Sequence, residues 1–339
     1  MGSTENFPEN MTLQMKAVLF DTFGGPEVLY LGETEQPRPG PGELLVRVRA
    51  TALNRADTLQ RRGLYPPPPG ESSILGLEMA GEVAETGPGV QKWKVGDAVC
   101  SLLGGGGYAE YAVIPENMAL PVLPGWSWAQ AASVPEAFLT AWQSLQWISA
   151  LKSGERVLVH AGGSGVGTAA VQLARALGAE PWVTASASKH DLCRQLGAAG
   201  CIDYRTEDFS ALLDASRPGG GVDVRLDCIG APYLHQNLQV LRTDGRMVLL
   251  AMMGGAVAES LDLRLVLGKR LNLHGSTLRN RARAYKEPLV QDLYTFAWPR
   301  FAEGTLHPVL DCTFPLEEVA QAHRYMEENR NTGKIALLL

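Results

Sequence analysis

The 339-residue sequence has few cysteines, no long apolar run and no excess of positive charge. Its five cysteines, Cys100, Cys193, Cys201, Cys228 and Cys312, stand at no paired spacing. That pattern lacks a local metal-binding signature and fits reduced thiols in the cytosol better than a disulfide framework. No stretch approaches the ~20 apolar residues that span a bilayer, so no membrane association is expected. Acidic residues outnumber basic ones 36 to 30, giving a formal net charge of −6. This excludes a general electrostatic footprint for nucleic acid. The basic cluster at 279–283 is local and reads as a solvated face. Residues 1–14 are polar and lack the apolar segment of a secretory signal. They read as a disordered tail, and Asn6 breaks the myristoylation pattern.

What the sequence does contain is an apolar strand, a glycine-rich turn and a helix in one run over 157–175. Glycines allow a sharp turn and close approach to a pyrophosphate, while the helix N-terminus presents N–H groups and a positive dipole end. Laid on G-x-G-x-x-G, the turn supplies Gly162 and Gly167 but places Ser164 at the central glycine, with Gly163 and Gly165 as extra glycines. A tight strand-to-helix connection in some other α/β protein is the alternative.

The length favours two domains. From 15 to about 135, turn signals separate short strand-like runs at 44–48, 80–85 and 108–114, which describes a β-rich domain. Beyond 136, helices at 137–148, 165–177 and 189–196 alternate with buried strands at 157–161, 182–185, 201–203, 222–229 and 247–252. This is the pattern of a doubly wound parallel sheet, in which 271–273 would be a sixth strand. The closing helix at 316–329 and strand at 334–339 contain no second cradle and are expected to return to the first domain.

The second strand of the sheet ends Thr184-Ala185-Ser186-Ala187-Ser188-Lys189, with no acid to accept the ribose hydroxyls of NAD. Ser186 and Lys189 instead suit a 2′-phosphate, which favours NADPH, and Tyr204 stands where it could flank the same group. Cys228 and Ile229 after the fourth strand, and Met252, Gly254 and Gly255 after the fifth, occupy the carboxyl edge where such sheets bind ligands. Main-chain groups there would face the nicotinamide; plain turns are the alternative.

The order of a β-rich unit before a dinucleotide fold resembles the medium-chain dehydrogenase/reductase superfamily. The resemblance rests on Gly76-Leu77-Glu78, Ala80-Gly81-Glu82-Val83, Val95-Gly96-Asp97-Ala98-Val99, Gly106-Gly107-Tyr108-Ala109-Glu110-Tyr111, the cradle and Gly333-Lys334-Ile335. It implies an α/β chain with a GroES-like catalytic domain from 15–137 and 281–339 and a Rossmann NADPH-binding domain from 138–280. Zinc alcohol dehydrogenases of the superfamily carry Cys and His where this chain has Asn54 and Leu77, which cannot replace a thiolate and an imidazole. No metal site is expected. Asn54-Arg55-Ala56-Asp57, the loop 63–70, Ile74-Leu75-Gly76-Leu77-Glu78, Leu226-Asp227-Cys228-Ile229-Gly230 and Tyr325-Met326-Glu327 are similar to the zeta-crystallin-like branch, and within it to the tumour-suppressor-inducible quinone oxidoreductases.

That resemblance implies a cytoplasmic homodimer that reduces quinones, ortho-quinones included, by one or two electrons from NADPH; semiquinone and reactive oxygen species belong to the one-electron route. It assigns Tyr65 and Asn54 to the quinone pocket, Tyr65 also to the nicotinamide, and Asn331 to the cofactor. Tyr65 as a loop anchor and Asn54 as a cap are the structural alternatives. A reductase of α,β-unsaturated carbonyls and a non-enzymatic, crystallin-like NADPH-binding protein are the competing functions.

Overall fold

A computed structural model describes residues 13–339. Residues 1–12, most of the expected tail, lie outside the described residues. Gln14 already opens a strand, Gln14–Leu19, paired antiparallel with Tyr30–Glu35.

Alternating apolar strands and helices produce a six-stranded, all-parallel sheet. Its strands lie in the order Gly200–Asp203, Glu180–Ala185, Arg156–His160, Val222–Asp227, Leu241–Leu249, Asn272–Gly275. In chain order this is 3-2-1-4-5-6, the doubly wound arrangement, and its order reverses between Arg156–His160 and Val222–Asp227. Val157, Leu158 and Val159 are successive and all buried, as expected of a strand covered by helices on both faces.

The strands of the β-rich part form a second sheet, ordered Leu310–Pro315, Lys334–Leu338, Glu43–Ala52, Glu78–Thr86, Ala98–Leu102, Leu120–Pro121, with Tyr111–Pro115 also paired to Glu43–Ala52. Lys334–Leu338 runs parallel to Leu310–Pro315 and antiparallel to Glu43–Ala52. The last strand therefore does return to the first sheet.

One continuous apolar core joins the two sheets. Ala50, Ala80 and Leu102 from the antiparallel sheet and Val157, Val183 and Val224 from the parallel one meet through Ala137 and Leu139 of helix Pro135–Trp142 and Leu289 and Leu293 of helix Arg283–Ala302. The helix expected over 137–148 starts two residues earlier and changes character midway. After Trp142 it continues as a π-helical segment, Gln143–Ile148. Ser144 Oγ there donates to Thr140 O at 2.7 Å and Ser149 Oγ to Ser144 O, side-chain bonds that compete with the regular ladder.

Arg225 is the exception in this core. It is fully buried on the fourth strand, in register with Leu158 and Met247. None of its guanidinium nitrogens has a hydrogen-bond partner among the described residues. Its Cζ lies 4.9 Å from the Phe209 ring centroid, and burial lowers its pKa to about 9. A cation–π contact repays only part of the cost of burying such a group. Arg225→Met should therefore raise the unfolding free energy by ~1–4 kcal/mol in denaturant titrations. A lower midpoint would mean that the cation supports its neighbour Asp227.

Candidate active site and cofactor cradle

Strand Arg156–His160 hands the chain to Ala161, whose φ of 53° starts the turn, and the turn ends at helix Gly165–Ala176. Ser164 is the N-cap of that helix. Its Oγ accepts from the Gly167 N–H at 3.0 Å, so the departure from glycine satisfies one of the unpaired donors at the helix start. A Cβ at Gly167 would strike the carbonyl oxygens of Ala161 and Gly162, and one at Gly162 the side chain of Val183. At Gly163 it would stand 2.6 Å from Lys189 Cδ, and at Gly165 2.5 Å from Lys334 Cδ. Gly163 and Gly165 make room for two lysine stems. Gly165 and Val166 hold the first helical positions, whose N–H groups have no acceptor within the helix and suit a phosphate.

At the end of the second strand Ser186 is buried and its Oγ lies 3.3 Å from Ser188 Oγ. Lys189 Nζ donates to Asn331 O at 2.5 Å and Asn329 O at 3.3 Å. The structure thus brings Lys189 and Asn331 together. Asn331 Nδ2 in turn donates to Gly333 O at 2.7 Å, and the Gly333 N–H to Gly163 O at 2.8 Å, so the segment before the last strand lies along the cradle. Burial chiefly pulls the Lys189 pKa below its ordinary value; Asp311 opposes, and the cations of Arg205 and Arg55 add to the lowering. Tyr204 is exposed, with Arg205 Cζ 5.8 Å from its ring centroid. Both line a cavity of about 310 Å³ shared with Phe209, Tyr233 and Gln236.

The residues expected at the nicotinamide end form one knitted edge. The Met253 N–H donates to Cys228 O at 3.0 Å and the Gly254 N–H to Ile229 O at 2.8 Å; Ala231 donates to Gly255 O and Gly255 to Met252 O. Asp227 accepts from the Ile229 and Gly230 N–H groups and from Asn237 Nδ2. Several main-chain groups expected to face a ligand therefore bond one another.

Asn54 belongs to a buried polar cluster with Glu78 and Lys334. Lys334 Nζ lies 2.7 Å from Glu78 Oε1 and donates to Asn54 Oδ1 and Leu53 O, each at 2.6 Å. Asn54 Nδ2 donates to Glu78 Oε1 at 2.9 Å, and the Glu136 N–H to Glu78 Oε2 at 2.8 Å. Asn54 also opens helix Arg55–Arg61 in a reciprocal capping box with Asp57, so the capping role is present along with the cluster. Burial raises Asp57 to about 6 against the pull of hydrogen bonds from the Asn54 and Gly76 N–H groups. Glu136 is raised to about 7, mainly by burial and then by the Glu78 carboxylate, with Lys334 opposing. Tyr65 is half-buried, with Arg279 Cζ 5.3 Å from its ring centroid. Burial, then the negative charge of Glu136, raises its phenol above the ordinary value.

The solvated-face expectation for 279–283 is corrected at Arg279. This residue is 4% exposed, and its guanidinium donates to Gly104 O, Tyr65 O and Gln60 Oε1 at 2.7, 3.3 and 2.6 Å. A lone arginine in a basic run gives no sequence signal of such burial. Arg205, Glu136 and Lys334 were also missed as site residues, although Lys334 lies in a quoted motif and Arg205 adjoins Tyr204. A cavity of about 780 Å³ lies elsewhere, between Ser210–Asp223 and Gln239–Lys269, and includes no residue expected at the cofactor or acceptor. Among the described residues no three His, Cys, Asp or Glu side chains converge as a metal site.

Comparison with known proteins agrees with this geometry. Residues 40–124 match the alcohol dehydrogenase GroES-like domain family and 196–337 the zinc-binding dehydrogenase family. A quinone oxidoreductase from Pseudomonas syringae superposes with a TM-score of 0.85 at 32% identity, covering 96% of this chain and all of that one. The chain belongs to the medium-chain dehydrogenase/reductase superfamily. Two other solved members of similar shape are the CurK enoyl reductase (TM-score 0.85, 29% identity, 96% of this chain and 99% of that one) and a mycobacterial protein in complex with NADPH (0.84, 29%, 96% and 100%). Among curated relatives, a putative inactive polyketide synthase of Mycobacterium tuberculosis is 36% identical over 301 residues. The match covers 88% of this chain but 18% of that protein, so this superfamily member spans under a fifth of its length. No helix of the described residues is long and apolar enough to cross a membrane.

The raised carboxyl of Glu136 makes stability depend on pH. Between the ordinary glutamate value and about 7 the folded chain keeps a proton that the unfolded chain releases, so this contribution is lost as pH rises through about 7. Relative to Glu136→Gln, the native chain should lose roughly 1–3 kcal/mol of unfolding free energy from pH 5 to pH 8. Paired denaturation curves check this, and a pH-independent difference would contradict the raised value.

Proposed function

We propose that this chain is a zinc-independent reductase that transfers reducing equivalents from NADPH to quinones, ortho-quinones included. The observation that carries the reading is the chain of contacts from Lys189 through Asn331 and Gly333 to the glycine turn, and from that turn along Lys334 to Asn54. Bound NADPH would supply the hydride. Its 2′-phosphate would meet Ser186, Lys189, Tyr204 and Arg205, and its pyrophosphate Gly162, Ser164, Gly165, Val166 and Gly167. The nicotinamide half would lie among Cys228, Ile229, Met252, Gly254, Gly255, Asn331 and Tyr65. The absence of a Cβ at Gly163 and Gly165, where lysine stems close in, supports a cradle built for close approach.

In this reading Tyr65 and Asn54 line the acceptor pocket. The Tyr65 hydroxyl donates to the carbonyl being reduced, and Asn54, fixed by Glu78 and Lys334, sets the polarity of the opposite wall. Water delivers the remaining proton. The Asn54 amide and the Leu77 hydrocarbon stand where zinc-dependent relatives place a thiolate and an imidazole, and both are poor zinc ligands. A quinone tolerates this because its reduced ring is aromatic, leaving the protein to orient and shield the reactants. The quinone oxidoreductase likeness and the NADPH-complexed neighbour support the acceptor and the cofactor respectively.

The enoyl reductase likeness favours a second reading, reduction of an α,β-unsaturated carbonyl in the same cleft. A homodimer is supported by the open edge of the parallel sheet. Leu273 on the edge strand Asn272–Gly275 is exposed, and an open strand edge suits pairing with a second copy. Free thiols support a cytoplasmic setting.

Two measurements test these proposals. Lys189→Ala and Arg205→Ala should each weaken NADPH by about tenfold or more, the loss of one charge-assisted hydrogen bond, with a much smaller effect on NADH. Equal losses for both cofactors would remove the 2′-phosphate contact. Steady-state NADPH oxidation against ortho-quinones, para-quinones and enals should be fastest with a quinone, and Tyr65→Phe, which keeps the ring, should lower quinone turnover while leaving NADPH binding largely intact. Faster turnover of an enal would establish the second reading.

A further inference from the structure

Arg279 and Lys286 are buried cations with no carboxylate among their hydrogen-bond partners. Arg279 follows strand Asn272–Gly275 of the parallel sheet and reaches into the antiparallel half, where its three acceptors are the Gly104 and Tyr65 carbonyls and the Gln60 amide oxygen. Lys286 is 7% exposed in the first turn of helix Arg283–Ala302 and donates to Arg279 O at 2.7 Å. A cation at a helix N-terminus opposes the helix dipole, and a buried charge with neutral partners keeps much of its desolvation cost. Burial lowers both pKa values; carboxylates oppose this, Asp57 foremost at Arg279 and Glu71 at Lys286. The proposed reduction leaves this cost unexplained.

The contacts of Arg279 converge on the loop that carries Tyr65. Gln60, which accepts from the guanidinium, donates through Nε2 to Ser73 O at 2.8 Å, so the loop is closed at its base. The Tyr65 main chain is tied to the same guanidinium through its carbonyl, and the Tyr65 ring lies against it, with Cζ 5.3 Å from the ring centroid. One cation thus holds both the backbone and the side chain of the residue assigned to the acceptor. With no carboxylate bonded to Arg279, its charge acts on the ring without a counter-charge in contact.

We propose that Arg279 is a positioning residue for the reduction: it fixes the Tyr65 ring and, through that ring, makes the hydroxyl a stronger hydrogen-bond donor to the carbonyl being reduced. The inference rests on the quinone reading and on Tyr65 in the acceptor pocket. Negative charge grows on the carbonyl oxygen as the hydride arrives, and a donor aimed at that oxygen counts for more in a site shielded from water. A cation against the ring draws electron density from the phenol oxygen, so its O–H bonds more strongly to the growing charge. The same charge pulls the phenol down where burial and Glu136 hold it up. Tyr65 keeps its proton, and the balance is unchanged: one hydride from NADPH and one proton from water per quinone. Lys286 holds the Arg279 carbonyl and adds a second positive charge.

Turnover of ortho-naphthoquinone with NADPH is compared for the full native chain, Arg279→Gln, Arg279→Lys and Tyr65→Phe, and for Tyr65→Phe combined with each Arg279 change. NADPH affinity and a denaturation midpoint are measured for each. Arg279→Gln keeps hydrogen-bonding atoms without the charge and should lower kcat about tenfold, the weight of one desolvated cation–π contact, with NADPH binding largely intact. Arg279→Lys should lose less. In Tyr65→Phe neither change should cost much more, because no hydroxyl is left to strengthen. Native turnover in Arg279→Gln, or the same loss with and without the Tyr65 hydroxyl, as a mere clamp on the loop would give, overturns the proposal. If Arg279→Gln does not fold, Arg279→Lys decides: a loss confined to chains that hold Tyr65 supports the proposal, and an equal loss in both backgrounds, or none in either, overturns it. A native chain inactive on the quinone, or Tyr65→Phe with full turnover, defeats the acceptor reading. An impaired Tyr65→Phe beside an unimpaired Arg279→Gln defeats this inference alone.

Discussion

The buried ammonium of Lys334 is the constraint on which the site depends. It is 5% exposed and meets a fully buried carboxylate, an amide oxygen and a main-chain carbonyl. Removed from water, such a charge survives only with this degree of compensation. Its stem passes over Gly165 while its head reaches Glu78 and Asn54. One side chain thereby sets the spacing between the cradle of the parallel sheet and the cleft of the antiparallel one. Lys189 does the same from the other direction, bonding the segment that leads into Lys334. The two lysines flank the turn whose glycines make room for them.

The polar groups buried around Asp57 are likewise compensated, which stiffens their surroundings. The Tyr108 hydroxyl donates to Asp57 at 3.2 Å and lies 3.3 Å from His323 Nε2, and His323 Nδ1 accepts from Arg61 at 2.9 Å. Arg61 closes the chain on Glu327 at 2.6 Å. Burial, with the Arg61 cation adding, holds His323 down at about 3, so it serves as a neutral link. Helix Arg55–Arg61, which starts at Asn54, is therefore anchored through Arg61 to helix Val319–Glu327. Asn54 is held at its own end by Asp57 and across the cleft by Glu78.

The parts legible in the sequence were those written in local pattern. Apolar runs such as Val157-Leu158-Val159, each followed by a helix, gave the parallel sheet, and the glycine turn gave the cradle. The absence of an acid before Lys189 could be read locally because it concerns one strand terminus. The rest was decided by contacts distant in sequence. Arg279 looks like its exposed neighbours until Gly104, Tyr65 and Gln60 surround it, and Glu136 looks like an ordinary helix-start acid until Glu78 faces it. The first hairpin, Gln14–Leu19 with Tyr30–Glu35, has the turn signal Gly24-Gly25-Pro26 inside a ten-residue connection, too long for a tight turn to fix the pairing. Ser164 could be recognised as a departure from the glycine pattern, but its role became clear only from its bond to the Gly167 N–H.

The placement of Lys334 also orders the making of the protein. Asn54 lies 280 residues earlier in the chain, and at ribosomal speeds of ~5–20 residues per second it emerges roughly 15–60 s ahead of its partner. For that interval the antiparallel sheet lacks the strand that fits between Glu43–Ala52 and Leu310–Pro315, and Glu78 has no counter-charge. The Glu78 carboxylate must stay hydrated until strand Lys334–Leu338 is in place. The Glu78–Lys334 pair thus waits on synthesis of Lys334, and until then strand Glu43–Ala52 lacks that neighbour.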